Sequence, residues 1–189
     1  MKNAIIGNRR QDGFSAMELL LTMAITGTIA AIAVFNIGAT LPGLKSDGAM
    51  RLVMTQLNTA RETAITQRRN YQVSFVGGNQ ILLIRQELPA GTTLLSTVYL
   101  EGGLSFRVDP SLPDTPEGFG MSSGVDFGTA TAIMFSPDGT LVNQNGAPAN
   151  GTVFLSLPGE PRSNRAITIL GSTGRVRAYR WSGNSWERV

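Results

Sequence analysis

Histidine and cysteine are absent from all 189 residues. With them go cysteine nucleophiles, imidazole general bases, Cys/His zinc sites and disulfide frameworks. Lysine is almost absent too, at Lys2 and Lys45 only, so no nucleophile has a base beside it in the sequence, and neither an enzyme, a cofactor nor a metal is expected. The missing cysteines are compatible with an exported protein that folds without disulfides. Charge is scarce, at 15% of residues against roughly 25% in soluble domains. Because 42% of residues are hydrophobic, some segment is not built for water. The 22 glycines and 9 prolines, with only 7% aromatics, point to many turns between short strands. A chain of this length holds one domain with a real core and a small appendage.

The apolar segment is at the N-terminus. Residues 1–13 carry Lys2, Arg9 and Arg10 against Asp12, and residues 14–35 come next with 16 apolar side chains in 22 and one charge, Glu18. As a helix rising about 1.5 Å per residue, that run spans a hydrocarbon core of about 30 Å. Basic residues ahead of the span hold that end in the cytoplasm and place the rest of the chain on the other side. An ordinary secretory signal would use Ala31-Ile32-Ala33 as its small-residue cleavage site and leave a mature chain starting near Val34. Glu18 speaks against it, because an acidic group in an apolar run is unfavourable. Ser15-Ala16-Met17-Glu18 also has the form of a capping box, in which the carboxylate would only satisfy an amide at the helix end.

Gly13-Phe14-Ser15-Ala16-Met17-Glu18-Leu19-Leu20-Leu21 resembles the leader junction of type IV pilins and type II secretion pseudopilins: a short basic leader, Gly, Phe, Glu at the fifth place after Gly, then a long apolar helix. The resemblance implies cleavage after Gly13 by a prepilin peptidase and N-methylation of Phe14. It also implies that the apolar helix is retained, and that Glu18 pairs with the Phe14 amine of a neighbouring subunit in a filament. A charge inside an apolar bundle requires such a partner, since an unpaired one costs several kcal/mol. Ala16 and Met17 depart from the larger aliphatic residues more common at those places.

Two glycines and Pro42 within residues 36–43 predict a kink or short break. Beyond it Met50, Val53, Leu57, Ala60 and Ala64 recur at helical spacing, which predicts an amphipathic helix from about Asp47 to Arg69, stopped by Asn70. From Tyr71 the period changes to two. Residues 71–76 and 80–85 around Gly77-Gly78-Asn79 read as a hairpin. Further strands are expected over 93–100, 104–108, 132–135, 140–142, 152–157, 166–170 and 176–181, with Ser136-Pro137-Asp138-Gly139 as a turn. Residues 109–128 are rich in Pro, Gly and Ser. Their acidic residues Asp109, Asp114, Glu117 and Asp126 lack EF-hand spacing, so this segment reads as a solvated acidic surface loop rather than a calcium site.

Residues 57–65 with Arg69-Asn70 and the strand after them, Phe135-Ser136-Pro137-Asp138-Gly139, and Gly174-Arg175-Val176-Arg177 are similar to elements of the GspH/FimT group of minor pseudopilins and minor pilins. The fold implied is α+β and pilin-like: a long N-terminal helix, transmembrane in its first half and amphipathic in its second, packed on a head of two small antiparallel sheets. Periodicity alone, with one amphipathic helix followed only by strands, agrees with it. The expected organisation is a leader over 1–13, a membrane helix over 14–35, a kink and amphipathic continuation over 36–69, and a periplasmic head over 70–189.

Charge is segregated along the chain. Residues 86–160 hold one basic residue against eight acidic ones, whereas residues 161–189 hold six arginines against Glu187. In an extended chain Arg175, Arg177, Tyr179 and Trp181 project to one side, with Arg180 between them on the other. Guanidinium groups and aromatic rings in a row can clamp phosphates and stack on bases, and the resemblance extends to minor pilins that serve DNA uptake. The alternative is a half-buried strand whose arginines meet water or acidic groups. The expected function is that of a filament subunit of a type II secretion system or type IV pilus. Its expected partners are other pilins, the prepilin peptidase/N-methyltransferase and the inner membrane. A DNA-binding pilin and a conventionally secreted β-domain enzyme are the rivals.

Overall fold

The computed structural model describes residues 14–189; the leader with Lys2, Arg9, Arg10, Asp12 and Gly13 lies outside the described residues. Among the described residues a single α-helix, α1 (Ala16–Gln67), precedes eleven strands. The chain divides into two compact units, residues 1–40 and 41–189.

In the first unit, every side chain over residues 14–34 is exposed, and Ala16–Val34 is long and apolar enough to cross a membrane. Ser15 occupies the N-cap: its carbonyl accepts the amides of Glu18 and Leu19 at 3.0 and 3.1 Å, and its hydroxyl accepts that of Met17 at 3.4 Å. The threonine hydroxyls are absorbed locally. Thr22 donates to the Leu19 carbonyl at 2.9 Å, Thr26 to that of Thr22, and Thr28 to that of Ile25 at 2.8 Å. An apolar helix can carry such groups because its own backbone satisfies them.

Of the kink or short break expected near Pro42, a break is not present, as α1 continues through it. A proline removes one N–H from the ladder, and the remaining bonds can carry the helix past it. The Ser46 hydroxyl donates to the Pro42 carbonyl at 2.9 Å. The helix stop also differs from expectation. α1 ends at Gln67, and Arg68 rather than Asn70 takes the left-handed conformation, with φ 53°. The Arg69 amide then reaches back to the Ala64 carbonyl at 3.3 Å, closing the helix as a Schellman turn does.

The second unit places two antiparallel sheets against residues 49–64 of α1. The first contains β1 (Tyr71–Val76), β2 (Gln80–Gln86), β3 (Thr92–Tyr99), β6 (Ile133–Phe135) and β7 (Leu141–Asn143), in the order β3-β2-β1-β6-β7. The second contains β4 (Ser105–Phe106), β8 (Gly151–Ser156), β9 (Arg165–Leu170), β10 (Arg175–Trp181) and β11 (Trp186–Arg188), in the order β11-β10-β9-β8-β4, with β5 (Val125–Asp126) also pairing β8. The predicted hairpin pairs Tyr71 with Arg85 and Val76 with Gln80. The helix stripe predicted from spacing is buried in one core with Tyr71, Val73, Ile81 and Phe135 of the first sheet and Val153, Leu155, Ile167 and Ile169 of the second.

The segment over 109–128 is not a solvated loop. It lies across the outer face of the second sheet: Thr115 is 3% exposed, Val125 and Asp126 form β5, and the indole N–H of Trp186 donates to the Pro113 carbonyl at 2.8 Å.

Arg68 keeps a non-glycine residue in a conformation that costs an L-residue about 1–2 kcal/mol. After allowance for glycine's extra freedom in the unfolded chain, Arg68→Gly is expected to raise stability by about 0.5–1 kcal/mol, measured as a higher urea midpoint.

Candidate functional site

The three short head motifs converge on one side chain. Arg61 projects from α1 and donates through Nε to the Gly139 carbonyl at 3.0 Å and through Nη2 to the Thr173 carbonyl at 3.1 Å. The first acceptor closes the Ser136-Pro137-Asp138-Gly139 turn and the second precedes Gly174, so one guanidinium fork ties the helix to a turn of each sheet. Gly174 has φ +61°, and a Cβ there would overlap the Gly139 carbonyl oxygen; only glycine lets the two turns close on Arg61. Asp138 is pushed down to about 2, first by the Ser136 hydroxyl and then by the Thr140 amide and hydroxyl. Its charge is therefore committed to holding the turn.

A second junction had no signal in the sequence. Arg165 is 2% exposed. Its Nε donates to Asp47 Oδ1 at 2.7 Å, its Nη1 to the carbonyls of Arg162 and Asn164 at 2.8 and 2.9 Å, and its Nη2 to the Gly43 carbonyl at 3.2 Å. Arg180 lies directly opposite Arg165 across β9 and β10, a like-charge pair that would repel. Asp47 resolves it, since its Oδ2 accepts Arg180 Nη2 at 2.7 Å. The carboxylate that marks the start of the amphipathic stretch in the sequence thus bridges two strands to the helix.

The arginine and aromatic row of β10 has the predicted alternation but does not form an open platform. Arg175 and Arg177 share Glu117, at 3.7 and 2.7 Å, and that bond to Glu117 raises the Arg177 pKa further. Thr168 Oγ1 donates to the same carboxylate. Tyr179 is 4% exposed and packs with Phe154, Ala166, Val108, Met121 and Trp186, while Trp181 stacks edge-to-face on Trp186 with ring centroids 5.3 Å apart. Arg180 points to the opposite face and to Asp47. The physical reason is the segment over 109–128, whose Met121 packs in the Tyr179 cluster, whose Pro113 carbonyl accepts the Trp186 indole, and whose Glu117 pairs with Arg175 and Arg177.

The other acidic residues of that segment also have internal partners. Asp126 accepts the Ser122 and Gly128 amides at 2.7 and 2.9 Å; burial pushes its pKa up, but these bonds and the Ser122 hydroxyl outweigh burial and lower it. Asp109 is lowered by the Ser111 hydroxyl and amide, and Asp114 accepts the Thr115 and Gly120 amides. Among the described residues no group of three carboxylates could hold a metal ion.

At the other end of the chain, Phe14 is 77% exposed, and Glu18 lies in the first turn of α1, where a negative charge is favoured by the helix dipole. Glu18 makes no ion pair among the described residues. Gly13 lies outside the described residues.

The model of a protein family described as type II transport protein GspH matches residues 49–174. No curated protein matches the chain. Two solved structures are similar to it. The type IV minor pilin FimU of Pseudomonas aeruginosa aligns with 69% of this chain and 84% of its own, at 17% identity and TM-score 0.47. The minor pseudopilin EpsH from the type 2 secretion system of Vibrio cholerae aligns with 75% of this chain and 99% of its own, at 14% identity and TM-score 0.49.

The Asp47 bridge separates an unpaired charge from a missing one. Asp47→Ala, which leaves Arg165 buried without its counter-ion, is expected to cost about 3–5 kcal/mol, whereas Arg165→Met removes the buried charge and costs less. Denaturant midpoints of the two variants rank them.

Proposed function

We propose that this chain, which belongs to the GspH family of type II transport proteins, is a minor pseudopilin or minor pilin anchored in the bacterial inner membrane and assembled into a periplasmic filament or its tip. The observation that carries the proposal is at the helix start. Ser15 already caps α1, so Glu18 is not needed to satisfy an end-of-helix amide. It stands as the one carboxylate on an exposed apolar segment long enough to cross a membrane. In lipid such a group calls for a cation. The amine of Phe14, released when the leader is cut after Gly13 and then methylated, supplies that cation from a neighbouring subunit as the helices pack.

In this reading the apolar segment serves twice, first as the anchor that holds the subunit in the bilayer with its basic leader in the cytoplasm, then as the packing surface of the filament core. The head lies in the periplasm and is carried by the helix. The function is mechanical, in protein secretion or pilus biogenesis, and the chain is a substrate of the prepilin peptidase/N-methyltransferase rather than a catalyst. The basic strand β10 serves the head's own packing. The pairing of Arg175 and Arg177 with Glu117, and of Arg180 with Asp47, supports this over a role in DNA uptake.

Intact mass of the purified mature protein is expected to correspond to a chain beginning at methylated Phe14; a start near Val34 would return the chain to ordinary secretion. Glu18→Ala is expected to abolish incorporation into filaments while leaving the head's unfolding midpoint unchanged, and normal incorporation would exclude the salt-bridge role. In a low-salt gel shift, wild type and an Arg175→Gln/Arg177→Gln double variant are expected to retain duplex DNA equally weakly. A loss of retention confined to the variant would reinstate DNA uptake.

A further inference from the structure

A groove of about 650 Å³ runs between α1 and β3 in the head, with Ala49 and Leu52 on one wall and Val98 and Tyr99 on the other. That is the size of a site for one small molecule, and apolar walls with a few polar groups are the usual lining of such a site. Tyr99 is 55% exposed, and Val98 and Leu52 are half-buried, so the walls still have apolar surface to cover.

Lys45 and Glu101 also line the groove. The lysine stem lies against the turn after β3, where a Cβ on Gly102 would stand 3.0 Å from Lys45 Cδ. Glu101 immediately precedes that glycine, so the ammonium and the carboxylate share one end of the groove. Both side chains are exposed, and neither enters an ion pair among the described residues. In this they differ from Asp47, Glu87 and Glu117, each of which meets two arginines of the head.

We propose that this groove takes an acyl chain of a zwitterionic phospholipid, with the lipid phosphate on the Lys45 ammonium and the lipid's own ammonium on the Glu101 carboxylate. The inference rests on the anchored reading above, which supplies a bilayer in which such lipids are at hand. Lys45 is the fifth residue of the unit that begins at Leu41, so the groove is built on the stretch of α1 that follows the apolar span in sequence. Charge selects the headgroup. A lysine ammonium binds phosphate as a point charge, but a headgroup that is anionic and lacks an ammonium sets a like charge against Glu101. A fatty acid has the same fault, because its carboxylate meets Glu101. A wholly apolar occupant would take water from both charges and give neither a counter-ion. A zwitterion satisfies the two together, while the apolar walls cover its chain.

The test uses phospholipids with a photoactivatable diazirine at the end of an acyl chain, added to the full-length protein in micelles of an uncharged detergent. Labelled peptides are mapped by mass spectrometry, and labelling over residues 16–34 is the internal reference. Relative to it, a phosphatidylethanolamine probe is expected to label the peptides containing Leu52 or Val98 several-fold more than a phosphatidylglycerol probe, whose headgroup has no ammonium. Glu101→Lys is expected to invert that preference, an outcome that unfolding cannot produce, and Lys45→Glu to lower phosphatidylethanolamine labelling several-fold. Equal labelling of the groove by the two probes overturns the inference, as does a preference that Glu101→Lys leaves unchanged. Labelling confined to residues 16–34 overturns it while leaving the anchored reading intact, and is the result expected if a neighbouring protein fills the groove. No labelling over residues 16–34 would overturn the anchored reading itself, and the inference with it.

Discussion

The head depends on one face of one helix. Met50, Val53, Leu57, Ala60 and Ala64 are each at most 1% exposed, and together they are the surface on which both sheets close. Burying each of the larger side chains contributes about 1.5–3 kcal/mol, and the small ones matter through their size, since alanine lets a sheet approach the helix closely. Two arginine junctions flank this stripe. Arg61 near the end of the helix fastens a turn from each sheet, and Asp47 a few turns earlier fastens β9 and β10. The apolar stripe supplies the attraction, and the polar junctions supply direction, because a guanidinium fork satisfies its carbonyls in one geometry only.

The same economy governs charge. A chain with few ionisable groups uses most of those in its head on itself. Glu117 meets Arg175 and Arg177, Asp47 meets Arg165 and Arg180, Glu87 meets Arg69 and Arg85, and Asp126 and Asp138 meet backbone amides. The acidic middle meets the basic end through Glu117, which faces Arg175 and Arg177 on β10. Glu18, outside the head, is the one carboxylate on the exposed apolar segment, and the assembly role proposed for it rests on that position.

The edges of the two sheets differ among the described residues. β7, β11 and β4 are short, and β7 is also bonded on its outer side. β3 runs for eight residues beside β2, with a β-bulge that leaves Leu95 without a partner on that strand. A bulge of this kind adds twist to an edge strand.

Much of this is legible in the sequence because it is local. The apolar run with its single glutamate, the 3.6-residue stripe over 50–64, the period-two segments from Tyr71 and the alternation of β10 depend on neighbours a few positions away, and each is present in the fold. Where sequence and structure part, the partners are far along the chain. Residues 109–128 look like a loop because nothing within them shows that Glu117 will meet Arg177, sixty positions later. Asp47 looks like a helix-start residue because Arg165 is more than a hundred positions away, and Tyr179 looks available for stacking because the residues covering it come from Val108 and Met121. A break at Pro42 and a stop at Asn70 mislead for a different reason: local propensity favours each, but the remaining ladder bonds carry the helix past Pro42 without interruption, and the closing turn places Arg68 in the left-handed position. Sequence alone determined the long helix, its apolar first half and most of the strands; only the tertiary structure decided which charges are spent inside, because ion pairing is a property of distance in space and not of spacing along the chain.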